Sequence, residues 1–215
     1  REAAFVERAV MCVTVLVGWR SVGSLLAMRL AAKRPEGISG LMVFAPTFWP
    51  NGWAIPKALY LFKLVQQHWL ARMFRFHQRP PYGIKDERIR NFVIESFRAD
   101  GRSSESLFAR SGGLVLEFRR LARDVKRVLG EIRQPTMVFH PRHDDQSDLK
   151  NAFLLQRRIA GMVEMVVLDD CYHLVTLDRQ RNVVMDRSIE FAARLTAREA
   201  DQVVARVPKG SAVAE

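Results

Sequence analysis

Two apolar runs flanking a helix-length segment constrain this chain most. Val13 to Val17 is a β-branched run that stops at Gly18-Trp19-Arg20-Ser21-Val22-Gly23. Leu25, Leu26, Met28, Leu30 and Ala31 follow at helical spacings, and Pro35 and Gly37 end that segment. Ile38 to Ala45, ISGLMVFA, is a second continuous apolar run. Such a run suits a strand covered on both faces, and strand, helix and strand in such short order make a parallel βαβ unit. The expected fold class is α/β, a mostly parallel sheet with helices on both faces.

The rhythm breaks at Pro46. Thr47 to Ile55 is rich in aromatics and turn residues, and Pro56 to Phe76 places apolar side chains at helical spacing. Pro80-Pro81-Tyr82-Gly83 interrupts, Asp86 to Phe97 reads as a short helix, and Arg98 to Ser106 as a polar loop. Residues 47–111 are therefore expected to be a helical insertion, a cap over a ligand site, with 1–46 and 112–200 forming the core. In the second half the pattern predicts helix Leu114 to Leu129, strand Thr136 to His140, helix Asp148 to Ala160 and strand Val163 to Leu168. A last helix is predicted from Leu177 or Asp178 to about Ala197. Residues 1–10 read as the end of a helix, and 201–215 as a disordered tail.

The net charge of +11 raises the possibility of an anionic partner. The basic residues are spread along the chain, however. Arg119, Arg120, Arg123, Lys126 and Arg127 interleave with Leu121, Val125 and Val128, as on an ordinary solvated helix face. No nucleic-acid partner is expected. No apolar run reaches the roughly 18 residues of a membrane span, so no stable membrane insertion is expected, and no signal-peptide pattern is present. Cys12 and Cys171 lack metal-type pairing, which points to a reduced, cytoplasmic setting without a metal. Oligomeric state leaves no mark in the sequence.

Ser21, Asp144 and His173 each sit just after a predicted strand. Loops after parallel strands gather at the carboxyl edge of an open sheet, where ligands bind. A serine hydroxyl is a poor nucleophile until a base takes its proton; histidine titrates near neutrality, and a carboxylate fixes its tautomer. Plainer roles are open to each: Ser21 as a helix cap, Asp144 as a turn residue like Asp145 or Asp148, His173 as a loop histidine. His140 and His143 adjoin Asp144 without a second ligand cluster at metal-binding spacing, and His68 and His77 are weaker candidates.

The segment P-R-H-D-D before a helix, and then L-D-D-C-Y-H-L-V-T-L-D-R, resemble the acid and histidine loops of bacterial carboxylesterases. These belong to the monoacylglycerol-lipase-like, serine-aminopeptidase-like (S33) branch of the α/β-hydrolases. S-V-G-S-L-L-A-M-R-L-A-A-K-R-P resembles that family's elbow helix, and A-P-T-F-W-P-N-G-W-A-I-P the start of its cap. The resemblance runs from about Val13 to about Arg194. It implies a partial α/β-hydrolase fold with a helical cap insertion. By position it makes Ser21 the nucleophile, His173 the general base, Asp144 its orienter, and the Val22 N–H an oxyanion donor. It implies a small-molecule carboxylic ester as substrate, short- to medium-chain or monoacylglycerol-like, an acyl-enzyme, and no cofactor. Trp49, Trp53, Phe62 and Trp69 are expected either to line an acyl pocket or to form the cap's own core.

Two departures accompany the resemblance. Trp19 stands where G-x-S-x-G has its first glycine. Only about ten residues precede the first strand, so the strands that come before the elbow in the family, with their oxyanion donor, are expected to be lacking from a truncated or degenerate coding sequence. Loss of one such donor costs about a hundred- to thousandfold in rate. Two further readings therefore stand beside the esterase: a catalytically impaired remnant of the fold, and a basic binding module for nucleic acid or anionic membrane.

Overall fold

A computed structural model describes residues 16–99 and 109–206. Four strands make one parallel sheet in the order β1 (Leu16–Arg20), β2 (Gly40–Phe44), β5 (Thr136–Pro141), β6 (Val163–Leu168). Two short strands, β3 (Arg75–His77) and β4 (Ala109–Ser111), form a separate antiparallel ribbon. The helices are α1 (Val22–Lys33), α2 (Ala58–Leu61), α3 (His68–Arg72), α4 (Glu87–Ala99), α5 (Gly112–Val128), α6 (Lys150–Arg158) and α7 (Arg181–Arg206). Parallel neighbours need crossovers. Here α1 joins β1 to β2, the insertion with α5 joins β2 to β5, and α6 joins β5 to β6.

Alternation along the strands divides the core into two layers. Leu41, Val43 and Val138 face Leu25 and Met28 of α1, Val125 of α5 and Leu155 of α6. Met137 and Phe139 face the other way, onto Val184, Phe191 and Leu195 of α7. Phe44 and Phe139 stack on that side with centroids 5.2 Å apart. Gly40 lets α7 approach: a Cβ there would come within 2.4 Å of a Leu195 methyl. Helices thus cover both faces, as the continuous apolar strands require.

The chain departs from the expected elements in three places. β1 continues through Gly18, Trp19 and Arg20, which pair with Met42, Val43 and Phe44, so the turn is confined to Ser21. Residues 1–15, including the expected N-terminal helix and the start of the first apolar run, lie outside the described residues. Pro56 to Phe76 is not one helix. In a single helix Phe62 and Phe76 would lie about 21 Å apart along the axis, yet their rings meet edge-on at 5.0 Å. Burial of Phe62 among Phe74, Phe76, Val115 and Leu116 breaks the segment into short helices ending in β3. Finally, α7 runs on to Arg206, past the start of the expected tail, and 207–215 lie outside the described residues.

Adjacent leucines of α1 test this layering. Leu25 is fully buried and Leu26 is 55% exposed. Leu25→Ala should cost about 2–5 kcal/mol in urea unfolding, and Leu26→Ala should stay within about 0.5 kcal/mol. Similar costs for the two would refute the assignment of faces.

Candidate active site

Ser21 lies between β1 and α1 with φ 54° and ψ −122°, a conformation that strains any residue but glycine by about 1–3 kcal/mol. Its N–H donates to the Phe44 carbonyl at 2.9 Å, which pins the turn to β2. Its side chain makes no capping hydrogen bond, so the hydroxyl is not spent on the helix end. Ser21 and Val22 both border a cavity of about 510 Å³. The Val22 N–H belongs to the first turn of α1, where amides have no intrahelical acceptor.

Asp144 and His173 come together at the ends of β5 and β6. His173 Nδ1 is 2.8 Å from Asp144 Oδ2 and 3.1 Å from Oδ1, with both side chains buried. The Gln146 and Ser147 N–H groups donate to Asp144 Oδ1 at 2.7 and 3.2 Å, and the Ser147 hydroxyl to Oδ2 at 3.3 Å. Burial pushes the Asp144 carboxyl up, but the adjacent His173 and its hydrogen bond, then His140 and the Gln146 N–H, outweigh it and hold the group below its ordinary value. A carboxylate at Nδ1 fixes the proton there and leaves Nε2 bare. That Nε2 is buried without a hydrogen-bond partner. No hydrogen bond joins it to Ser21, and His173 does not border the cavity. The structure thus joins Asp144 and His173 by a hydrogen bond and shows none between His173 and Ser21.

A second histidine supports the acid. His140 is fully buried; its Nε2 lies 3.0 Å from the Ser147 carbonyl and 3.7 Å from Asp144 Oδ2. A carbonyl only accepts, so Nε2 carries the proton. Burial lowers the pKa of His140, against the raising effect of Asp144, so the ring stays neutral. Cys171 is no rival nucleophile: burial, then the carboxylates of Asp178, Asp144 and Asp170, push its thiol up to about 12. Among the described residues no group of three or more His, Cys, Asp or Glu could hold a metal, and no helix is long and apolar enough to cross a membrane.

Two buried carboxylates, read in the sequence only as turn and helix-start residues, fasten the histidine loop. Asp178 accepts from the N–H groups of Lys85 and Tyr172 at 2.7 Å through Oδ2, and from Asp86 and Arg179 at 3.0 and 2.9 Å through Oδ1. Asp145 accepts from the Gly83 N–H at 2.8 Å and the His173 N–H at 3.4 Å. Both tie the Gly83–Asp86 turn of the insertion to the segment around His173. Gly83 has φ +83°, and a Cβ there would come within 3.2 Å of His173 and 2.9 Å of Gln146 Nε2. The sequence signal was the Pro80–Gly83 break, which marked the turn but not its partners.

The aromatic residues expected to line the pocket do not border the cavity. Phe62 is buried in the insertion's own core, edge-on to Phe74 and Phe76, so it backs the wall through Phe76. Trp49 packs against Tyr60. Trp53 is 59% exposed, sits edge-on to Tyr172, and donates to the His143 carbonyl at 3.1 Å. Trp69 is 67% exposed. Ile55, Leu59, Val115 and Leu121 take their place, together with Phe76 and Phe118. Trp49 and Trp53 are committed to the docking of 47–54 on the acid loop, where the Gly52 and Ala54 N–H groups donate to Gln146 and Asp145 carbonyls at 2.9 and 3.0 Å.

A strained serine turn after one parallel strand, and a carboxylate–imidazole pair after two others, is the layout of an α/β-hydrolase. The sequence matches the family serine aminopeptidase, S33, over residues 7–180, and the chain belongs to that family. No curated protein matches it. Among solved structures it is similar to a Paleococcus ferrophilus monoacylglycerol lipase: 14% identity, TM-score 0.64, 91% of this chain and 72% of that one. It is similar to a soluble variant of Saccharomyces cerevisiae monoglyceride lipase at 15% identity and TM-score 0.64, over 90% of this chain and 66% of that one. A structure from the metagenome-derived lipolytic enzymes LipS and LipT aligns at 17% identity and TM-score 0.61, over 90% and 70%. These likenesses establish the fold.

Asp145 gives the site a pH signature. Burial, then the adjacent Asp144 charge, raise it to about 6 from the 3.8 of a free side chain. A raised folded value lends stability that is full below about pH 3.8 and is lost as pH climbs through about 6. Asp145→Asn removes this dependence. Relative to the parent, the variant's Tm should therefore rise by a few degrees between about pH 4 and pH 7. A constant offset across that range would show that Asp145 does not titrate there.

Proposed function

We propose that the chain is a serine hydrolase of carboxylic esters, working through an acyl-enzyme. One observation carries the reading: the buried His173 is oriented by Asp144 and keeps a bare, unpartnered Nε2, while Ser21 holds its hydroxyl uncommitted at a strained turn on the cavity. Ser21 Oγ attacks the ester carbonyl as His173 Nε2 takes its proton. The Val22 N–H donates to the developing oxyanion. His173 then returns the proton to the leaving alcohol, and water cleaves the acyl-serine by the same steps with Ser21 as leaving group. The apolar wall around Ile55 and Leu59 suits a short- to medium-chain acyl group or a monoacylglycerol. Substrate binding has to close the gap between Ser21 and His173, since catalytic hydrogen bonds tighten in the substrate complex.

That open gap also favours a second reading, a member of the family that keeps the fold and has lost the chemistry. Hydrolysis of p-nitrophenyl butyrate by the parent, Ser21→Ala and His173→Ala separates the two. The ester-hydrolase reading expects each variant to lose at least about a thousandfold in kcat/KM. Equal rates for parent and Ser21→Ala would leave only the second reading.

A further inference from the structure

The cavity carries a polar stretch that ester cleavage at Ser21 does not use. The β3–β4 ribbon supplies it. Phe76 lies directly across from Arg110, and directly opposed residues share a face of the ribbon. Gln78 follows directly on the end of β3. All three border the cavity.

Neither polar group has a partner among the described residues. The Arg110 side chain makes no hydrogen bond or ion pair with any described residue. Arg110 is an exposed residue, so its guanidinium can be reached from solvent, while the protein packed around it lowers its pKa. Gln78 Nε2 is buried with no hydrogen-bond partner. An unpaired guanidinium and a buried amide without a partner on one wall offer an entering acceptor a charged fork and a further donor. The one acid bordering the cavity among the described residues, Glu117, is engaged elsewhere: its carboxylate lies 2.7 Å from Arg120 and 3.3 Å from His68. Ile55, Leu59, Leu114, Leu121 and Phe118 give the cavity an apolar wall, and His77 and Gln146 also border it.

Building on the ester-hydrolase reading, we infer that the substrate is an ester whose acyl chain ends in a free carboxylate, held by Arg110 and Gln78 while its methylenes lie on the apolar wall. A guanidinium fork matches a planar carboxylate bidentately, and the amide adds a third donor. The acyl limb is the one assigned the carboxylate because it stays in the cavity through both half-reactions, after the alcohol has left.

The test pairs the monoethyl esters of dicarboxylic acids, from succinate to suberate, with ethyl esters of the monocarboxylic acids of equal chain length. At the best-fitting length the full chain should favour the half-ester by about tenfold or more in kcat/KM. Arg110→Gln should bring that ratio close to one, and Gln78→Leu should lower it less. Turnover of neutral esters with no half-ester preferred, or a preference unmoved by Arg110→Gln, overturns the inference and leaves the ester-hydrolase reading intact. Absence of turnover on every ester counts instead against that reading, and calorimetry then reads the anion site alone. Ser21→Ala protein should bind monoethyl adipate in preference to ethyl hexanoate and lose the difference with Arg110→Gln added. Equal binding of the two esters, or none, overturns the anion site.

Discussion

The fold and its site both depend on one strand being buried on every side. All six residues of β5 are buried, between β2 on one edge and β6 on the other. With no water to satisfy it, the strand pairs along both edges, and its two buried polar side chains find partners: the Thr136 hydroxyl donates to the Gln134 carbonyl and His140 bonds the Ser147 carbonyl. Val138 feeds one layer, Met137 and Phe139 the other. That fixed strand delivers the acid loop to its carboxyl end; β6 beside it delivers the histidine loop, and β1, on the far side of β2, delivers the serine turn to the same rim. The geometry around Asp144 is thus a consequence of sheet pairing before it is a matter of catalysis.

Within a chain of net charge +11, this rim is held by buried carboxylates. Asp144, Asp145 and Asp178 are each at most 3% exposed. They differ in how they are answered. Asp144 faces an imidazole and two backbone N–H groups, which favour its charged form. Asp145 has two backbone N–H groups but shares the space with the Asp144 charge, which opposes its own ionisation. Asp178 draws four N–H groups from two separate segments. Carboxylate oxygens accept several bonds at once, so short acidic side chains can join loops that no regular ladder connects.

The sequence showed the core because its signals there are local. The apolar runs at Ile38–Ala45 and Thr136–His140, and the spacing of α5, identify elements whose burial follows from their own residues. The order of Ser21, Asp144 and His173 at strand ends was legible for the same reason. The interior of the insertion was not. Phe62 and Phe76 meet across fourteen positions through a long-range packing choice that periodicity cannot encode, and Trp53 and Trp69 look like pocket residues in sequence but point outward in space. The β3–β4 ribbon was missed because each strand is three residues long, too short for any alternation to register. Asp145 and Asp178 escaped notice because a carboxylate's partners are backbone amides, which every residue type supplies.

The seating of 47–54 on the acid loop redraws the boundary of the insertion. Phe48 and Trp49 N–H groups donate to Asn151 Oδ1, Asn51 Oδ1 accepts from Asp148 N–H, and a Cβ on Gly52 would collide with Asp145 backbone at 2.3 Å. Mechanically these eight residues brace the rim that carries Asp144 and His173, and the insertion's own packed core begins only around Ile55. Any chimera that transplants a foreign lid onto this scaffold, or any lineage that swapped one, has to splice beyond Ala54. A cut at Pro46 would carry away the brace that keeps the acid in place.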